Sequence, residues 1–494
     1  MVLSTSEQIR KGVILLAKYH KKGKLGFILG LVVILLVFQA AAAFWILRNG
    51  GRDASLDVSQ NPVTQPTKPQ ATTVPSQPAQ TEPELPTTGD PTQPVRTATI
   101  GVLGDIIPDL PIINAYETDS GYDFDGIFRF LTRYSLNVDY AVASLETTLA
   151  GTENGLRYNG FNTRNCPDEI VDALGAAGFR MLLTANEHSY DTGSSGLQRT
   201  FDTIEQRGLQ ALGTSRESTL TKYTIVDVGG IQVGMLSYTM QSDVPEDGQP
   251  GTVYLGDHPV EKEDLARICT YETNQTDLLY AELQWNLNRM RQEGAEASVV
   301  FLHWGTNYSL KADDNQKRIA KQLCNMGVDV IVGTHPHVVE PIELLTSTTD
   351  PTHQTVCLYS LGNAVSNQRF GSVRRISTAH TEDGVFFTFT FSKYADGGVY
   401  LSDATLLPLW MEMRPELQRS YNIIPLDDSL RDQWQSLYGL SDTALKSAGK
   451  SYNRTAKILE ADYTAVREAL AAARELREAD YLAASVEAQF ATEE

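Results

Sequence analysis

Five short apolar runs in this chain end in residues that ligate metal ions. They are Gly104-Asp105, Leu145-Glu146, Asn186-Glu187-His188 with Asp191 three residues on, His303-Trp304-Gly305, and Gly333-Thr334-His335-Pro336-His337. The chain has only eight histidines, and four of them stand at these run ends. Mixed Asp, Glu and His donors suit Zn, Mn or Fe, and their natural chemistry is Lewis-acid activation of water or substrate. With so many candidates, two ions bridged by a carboxylate is a reasonable arrangement. Each element alone is ordinary. A Gly-Asp after a strand is commonly a turn, and a lone histidine such as His303 is commonly a hydrogen-bonded core residue. His335-Pro336-His337 is more specific, because two imidazoles on one stiff turn can serve adjacent ion positions. The concentration of all five carries the signal.

Metal ligands must be held by rigid elements, and the surrounding pattern supplies them. Thr99–Gly104, Tyr140–Leu145, Met181–Thr184, Ser298–Leu302 and Val328–Val332 read as strands buried on both faces. Amphipathic helices are expected between several of them, over Asp168–Ala177, Ser195–Arg207, Leu278–Glu293 and Asn315–Met326, with Gly208 and Gly327 as C-caps. Tyr223–Val228, Gly229-Gly230 and Ile231–Tyr238 read as a hairpin. Thr355–Ser360, Val385–Phe391 and Val399–Ala404 are alternating strands without long helices between them. The sum is a layered α/β domain with room for two sheets, ending near Pro425. In such sheets ligands gather at the carboxyl ends of strands, so the five run ends could converge on one crevice. In the helical tail from Leu440, Leu459, Tyr463, Val466, Leu470 and Ala473 recur at spacings of four and three. Two heptads do not make a coiled coil, and packing on the chain's own domain is the better expectation.

The first hundred residues follow other rules. Leu25–Leu47 is uncharged and almost wholly apolar, long enough for a helix across a core of ~30 Å. Arg10, Lys11, Lys18, Lys21, Lys22 and Lys24 precede it against a single acid, Glu7, which places the N-terminus in the cytoplasm and the rest outside. A cleaved signal peptide is the rival, with Ala41-Ala42-Ala43 offering small residues to a peptidase. Residues 48 to 96 form a tether rich in Pro, Thr and Gln that cannot bury a core and is expected to be disordered. The chain carries 41 basic against 61 acidic residues, a net charge of −20 that disfavours nucleic acid as a partner. Cys166, Cys269, Cys324 and Cys357 lack metal-knuckle spacing. Cys324 and Cys357 read as buried apolar residues, while a Cys166–Cys269 disulfide is the minority alternative.

The ordered set of motifs, extended by Tyr359-Ser360-Leu361-Gly362-Asn363, resembles the bacterial CapA/PgsA family of capsule and poly-γ-glutamate synthesis proteins over about residues 97 to 425. The resemblance implies a calcineurin-like metallophosphoesterase fold, a sandwich of two β-sheets flanked by helices. It makes Asp105, Glu146, His303, His335 and His337 metal-site residues, with two divalent ions (Mn, Zn or Fe). It makes His188 the candidate acid or phosphate-contacting histidine. Three positions depart from the family pattern. Asn186-Glu187-His188 stands where Asn-Asn-His is usual, Asp109 where a histidine is frequent, and Ser144 where Asn often precedes Leu-Glu. Asn186, Glu187 and Asp109 can still ligate and are carried as metal-site candidates, although the added charge at Glu187 would weaken the ions as Lewis acids. On the substrate side stand Asn363 and a patch of Arg369, Arg374 and Arg375. That patch is either solvated loop arginines or an anion-binding lip, since guanidinium forks match carboxylates and phosphates.

The leading expectation is a membrane-anchored extracytoplasmic protein of capsule or poly-γ-glutamate synthesis, handling an anionic polymer beside membrane synthesis or export subunits. If it is an enzyme, its reaction is metal-assisted attack on a phosphoester or related bond. The alternatives are a non-catalytic polymer-binding or export-complex subunit on the same fold, and a tethered adhesin. The topology is testable. Protease added to intact cells or protoplasts is expected to cut within residues 51 to 95 and release a soluble fragment beginning near Arg96. Protection of that segment at an accessible membrane surface would contradict the orientation.

Overall fold

The computed structural model describes residues 92–492, apart from 161–162, 219–220, 247, 372 and 415–419. The anchor expected over Leu25–Leu47 and almost all of the tether lie outside the described residues. Among those described, no helix is long and apolar enough to cross a membrane.

Strand β1 (Arg96–Ile106) leads into β2 (Tyr140–Leu145), helix α1 (Glu169–Ala176), β3 (Phe179–Leu183), α2 (Gly193–Gln206) and β4 (Gln210–Leu212). The expected hairpin follows as β5 (Tyr223–Val228) and β6 (Ile231–Met240). Next come β7 (Thr270–Tyr271), α3 (Thr276–Gln292), β8 (Ala297–His303), α4 (Asp314–Asn325) and β9 (Val330–Thr334). The chain continues through β10 (Ile342–Thr346), β11 (Gln354–Leu358), β12 (Asn363–Val365), β13 (Asp383–Lys393), β14 (Val399–Arg414) and β15 (Ser420–Pro425) to α5 (Asp442–Thr492).

Two sheets result. The first has the order β15-β14-β13-β1-β2-β3-β4, with β12 paired to the end of β1; the second has the order β7-β6-β8-β9-β11-β10, with β5 beside β6. Strands β1 to β4 run parallel, as do β6, β8, β9 and β11, which is why their sequences are continuous apolar runs. Side chains alternate between faces. Ile100, Val102, Val142 and Met181 meet Val233, Met235, Val299, Phe301 and Val332 in the core between the sheets. Their neighbours Ala143 and Leu182 pack under Ile170, Val171 and Leu174 of α1. On the far side Leu302 and Ile331 pack under Leu283 and Leu287 of α3 and Ile319 and Leu323 of α4. The layers therefore run helix, sheet, sheet, helix.

One feature was not read from the sequence. Strand β14 continues ten residues past the expected end at Ala404, through Pro408. Proline lacks only the donor, and the Pro408 carbonyl still accepts the Leu426 amide at 2.8 Å. All four cysteines are unpaired and buried, and Cys166 and Cys269 belong to the opposite outer layers, which removes the disulfide alternative.

The tail packs on its own domain. Leu459, Val466 and Leu470 of α5 enter the inter-sheet core, with Tyr463 against its edge. Arg454 grips Asp383 through both carboxylate oxygens, at 2.6 and 2.7 Å, and Ser451 Oγ donates to the same carboxylate at 2.6 Å. Leu459→Ala is expected to cost about 2–4 kcal/mol in a denaturation experiment, from the cavity it leaves. Leu476→Ala, at a position 69% exposed on the same helix, should cost less than about 0.5 kcal/mol. Equal costs would show that α5 does not contribute to the core.

Candidate metal centre

The ends of β1 and β2 from one sheet and of β8 and β9 from the other meet at a single crevice. The segment after β11 stitches them together. Leu361 N–H donates to Gly333 O at 3.0 Å, and Asp105 N–H donates to Gly362 O at 3.1 Å. This closeness explains two motif glycines. A Cβ on Gly104 would stand 2.1 Å from the Gly362 carbonyl oxygen, and one on Gly333 would stand 1.8 Å from that of Tyr359. Gly104 is also a bulge. Leu103 opposes Ala143 and Asp105 opposes Ser144, so one extra residue intervenes. Leu103 and Ile106 both face the outer layer, three residues apart, and the bulge turns Asp105 away from them.

On the opposite wall, His335 and His337 have φ of 96° and 59°, a left-handed backbone that residues other than glycine rarely adopt. Neighbours hold the turn. His335 N–H donates to Asp105 Oδ2 at 3.1 Å, and Pro336 O accepts from Tyr308 N–H at 2.8 Å.

Among the described residues, three overlapping sets have donor atoms within 4.8 Å of one another: Glu187, His303 and His335; Asp105, Glu146 and His303; and Glu146, Glu187 and His337. In the first set His335 Nδ1 lies 3.2 Å from His303 Nε2 and 3.5 Å from Glu187 Oε1. Ligands at the usual bond lengths around a four-coordinate ion lie roughly 3.3–3.4 Å apart, so these edges match one. His303 Nδ1 contacts Thr334 Oγ1 at 3.1 Å, and His337 Nδ1 contacts Asn363 Oδ1 at 3.2 Å. Such outer partners fix which ring nitrogen faces inward. Glu146 Oε2 is buried with no hydrogen-bond partner, a state that costs stability unless a cation or donor meets it. The residues fit a divalent ion.

The electrostatics agree. Burial, reinforced by the charge on Glu146, holds the Asp105 carboxyl well above its ordinary range. Burial also raises Glu146, to about 6, against the pull of Arg164. Burial and the neighbouring cations hold His303 and His337 well below the ordinary histidine range, in the neutral ligating form. Burial would raise Glu187, but His335, His188 and His303 outweigh it and keep the carboxylate ionised. His188 is different. Burial and Arg164 would lower it, yet hydrogen bonds to Asp191 (2.8 Å from Nδ1) and Glu187 raise it to about 9. Its Nε2 lies 3.8 Å from Glu146 Oε1, so a protonated, oriented donor faces the carboxylates.

The structure brings Asp105, Glu146, Glu187, His188, His303, His335 and His337 together and turns four other candidates to different tasks. The Asn186 amide donates to Leu145 O at 2.8 Å and accepts the His188 amide at 3.0 Å, which shapes the loop. Asp109 Oδ2 accepts the Asn367 amide at 3.1 Å. Asn363 is buried, positions His337 and donates to Thr381 O at 3.0 Å, so it acts behind the site rather than toward substrate. Arg369 is buried too, its guanidinium occupied by Met411 O at 2.7 Å and Glu382 at 2.9 Å, and it is no part of an anion-binding lip. Arg374 and Arg375 are exposed on the same loop. Two residues went unread. Arg164 ion-pairs with Glu146, and His258 Nε2 lies 3.8 Å from Asp191 Oδ1. Arg164 comes from an irregular segment and His258 from a two-residue strand, and neither has a periodicity or motif to flag it.

Behind the site, Gln316 links the two histidine loops. It completes the capping box of α4 with Asp313, and its Nε2 donates to Glu340 Oε2 at 2.7 Å. Burial pushes the Glu340 carboxyl up to about 8. A folded-state pKa above the unfolded one gives stability that is complete below the unfolded value, near 4.5, and is lost as pH rises through 8. Stability should therefore fall by about 3 kcal/mol between pH 6 and 9 from this group. Glu340→Gln, which keeps an acceptor for Gln316, should flatten that decline, as read by denaturant unfolding across pH. An unchanged slope would assign the pH dependence elsewhere.

Comparison with known proteins adds to this geometry. The chain is 26% identical over 279 residues to the capsule biosynthesis protein CapA of Bacillus anthracis, covering 55% of this chain and 60% of that protein. It is 26% identical over 255 residues to the PGA biosynthesis protein CapA of Bacillus subtilis, covering 51% and 59%. It thus spans about three fifths of the length of these relatives. Among solved structures, the calcineurin-like phosphoesterase YfkN of Bacillus subtilis is similar at a TM-score of 0.34 and 13% identity, over 63% of this chain and 90% of that one. Residues 99–368 match the family described as bacterial capsule synthesis protein PGA_cap, over half of the chain and all five ligand-bearing strand ends, and the chain belongs to that family.

Proposed function

We propose that this chain is a membrane-tethered, extracytoplasmic protein of capsule or poly-γ-glutamate synthesis whose buried cluster holds divalent metal and acts in a hydrolase-like way on a phosphoester or related bond. The observation that carries this reading is the convergence of Glu187, His303 and His335 beside the unpartnered Glu146 Oε2. Family membership and the names of the curated relatives support the capsule context. The apolar Leu25–Leu47 run and its basic leader support the tether.

The donor set offers two adjoining positions, one at Glu187, His303 and His335, the other at Glu146, Glu187 and His337. A bound Mn, Zn or Fe ion would supply Lewis-acid activation and neutralise developing negative charge. The chain's own residues do the rest. Asp191 holds the His188 ring by Nδ1 and turns Nε2 toward Glu187 and Glu146, from where it can hand a proton to a leaving group. Tyr308, 39% exposed, stands at the rim with its ring 5.9 Å from that of His337. The exposed Arg374 and Arg375 are the remaining candidates for contact with an anionic polymer.

The test is metal analysis of the purified full-length chain with Mn or Zn supplied, paired with hydrolysis of an aryl phosphate ester. Tightly bound ion is expected, and it should be lost when His335 and His337 are both replaced by Ala, with the fold retained. Undiminished metal in that double variant would move the site. Bound metal with no turnover on any phosphoester would favour the polymer-binding subunit instead.

A further inference from the structure

Arg164 lies where a second ion would be expected. Its segment is locked from both sides. Thr148 N–H and Oγ1 both donate to Arg164 O, at 3.3 and 2.6 Å, and Asn165 donates to Gly151 O and Arg157 O at 2.7 and 3.1 Å. Arg164 N–H donates to Asp191 Oδ2 at 2.7 Å, the same oxygen that holds His188. The side chain is buried, and Nη1 reaches both Glu146 Oε1 and, at 3.3 Å, the Glu146 carbonyl oxygen. Glu146 Oε1 also lies 3.9 Å from His337 Nε2 and 3.8 Å from His188 Nε2. The guanidinium therefore already holds one of the two oxygens that Glu146 could offer to the Glu146, Glu187 and His337 position, leaving only Oε2.

The rest of that position is weak. Asp109, the nearby acid that could complete it, is turned to the Asn367 amide. Glu146 ion-pairs with the guanidinium, and the charges of Asp109, Glu187 and Asp191 also act on it. Arginine does not deprotonate, so its charge is permanent. A dication placed against it would meet like-charge repulsion in a dry site, where charges act strongly. At the other position His188 Nε2 stands 3.6 Å from Glu187 Oε1, but no arginine enters it, and the nitrogens of His303 and His335 and that oxygen are turned toward one another.

We propose that Arg164 is a built-in cation that takes the place of a second metal ion, so that the centre binds one divalent ion, at Glu187, His303 and His335. This inference rests on the metal reading above and deepens it. Arg164 then offers a fixed positive charge and a donor fork to an anionic group of the substrate, and it cannot itself activate water.

The experiment is Mn²⁺ titration of the full-length chain, with stoichiometry by elemental analysis and electron paramagnetic resonance of the loaded protein. One ion per chain with an uncoupled Mn²⁺ signal is expected for the native protein and for Arg164→Lys. Arg164→Ala should take up a second ion and show spin coupling between the two. Two coupled ions in the native chain would overturn the proposal while leaving the metal reading intact. No bound ion in the native chain would overturn both. A single ion in a folded Arg164→Ala variant would overturn the role given to the arginine. Should that variant not fold, the native stoichiometry and coupling still decide.

Discussion

Asp105 joins the two halves of the centre. Its carboxylate takes the Ser144 hydroxyl at 2.8 Å from its own sheet and the His335 amide at 3.1 Å from the other. The second bond stabilises a left-handed histidine that would otherwise be strained, and with it the turn that presents His337. Everything in the crevice depends on the two sheets keeping this registry. The apolar core between them, closed at its edge by Leu459, Val466 and Leu470 of α5, holds that spacing.

The centre is therefore built as two rigid walls with opposite electrostatic character. One wall supplies Asp105 and Glu146, whose carboxyls burial pushes upward. The other supplies His303 and His337, which burial pushes into the neutral form. Burying acids and imidazoles together without a charged partner is costly. Such a cluster persists because each group keeps an anchoring hydrogen bond. Arg164 is one cation already present, on Glu146 Oε1, while Glu146 Oε2 is left without a hydrogen-bond partner.

Several residues position the cluster without joining it. Thr334 and Asn363 set the faces of His303 and His337, Asp191 sets that of His188, and Gln316 with Glu340 braces the loops from behind. Residues expected to meet substrate, Asn363 and Arg369, belong to this support instead, because a short loop crossing between sheets must satisfy its own buried polar groups first.

Much of the layered fold and most of the residues of the buried cluster were legible in the sequence. Strands buried on both faces must be apolar throughout, and polar residues at their ends then stand out against them, as His303 and His335 do. The amphipathic periods of α1 to α4 and the Gly229-Gly230 turn are local signals of the same kind. What the sequence could not yield depends on contacts between distant segments. The passage of β14 through Pro408, the turn of Asp109 toward Asn367, and the burial of Arg369 against Met411 are set by neighbours far along the chain. Arg164 is the clearest case. As a letter it is a solvated arginine in a polar loop, and only the closure of that loop over Glu146 makes it a charge inside the centre.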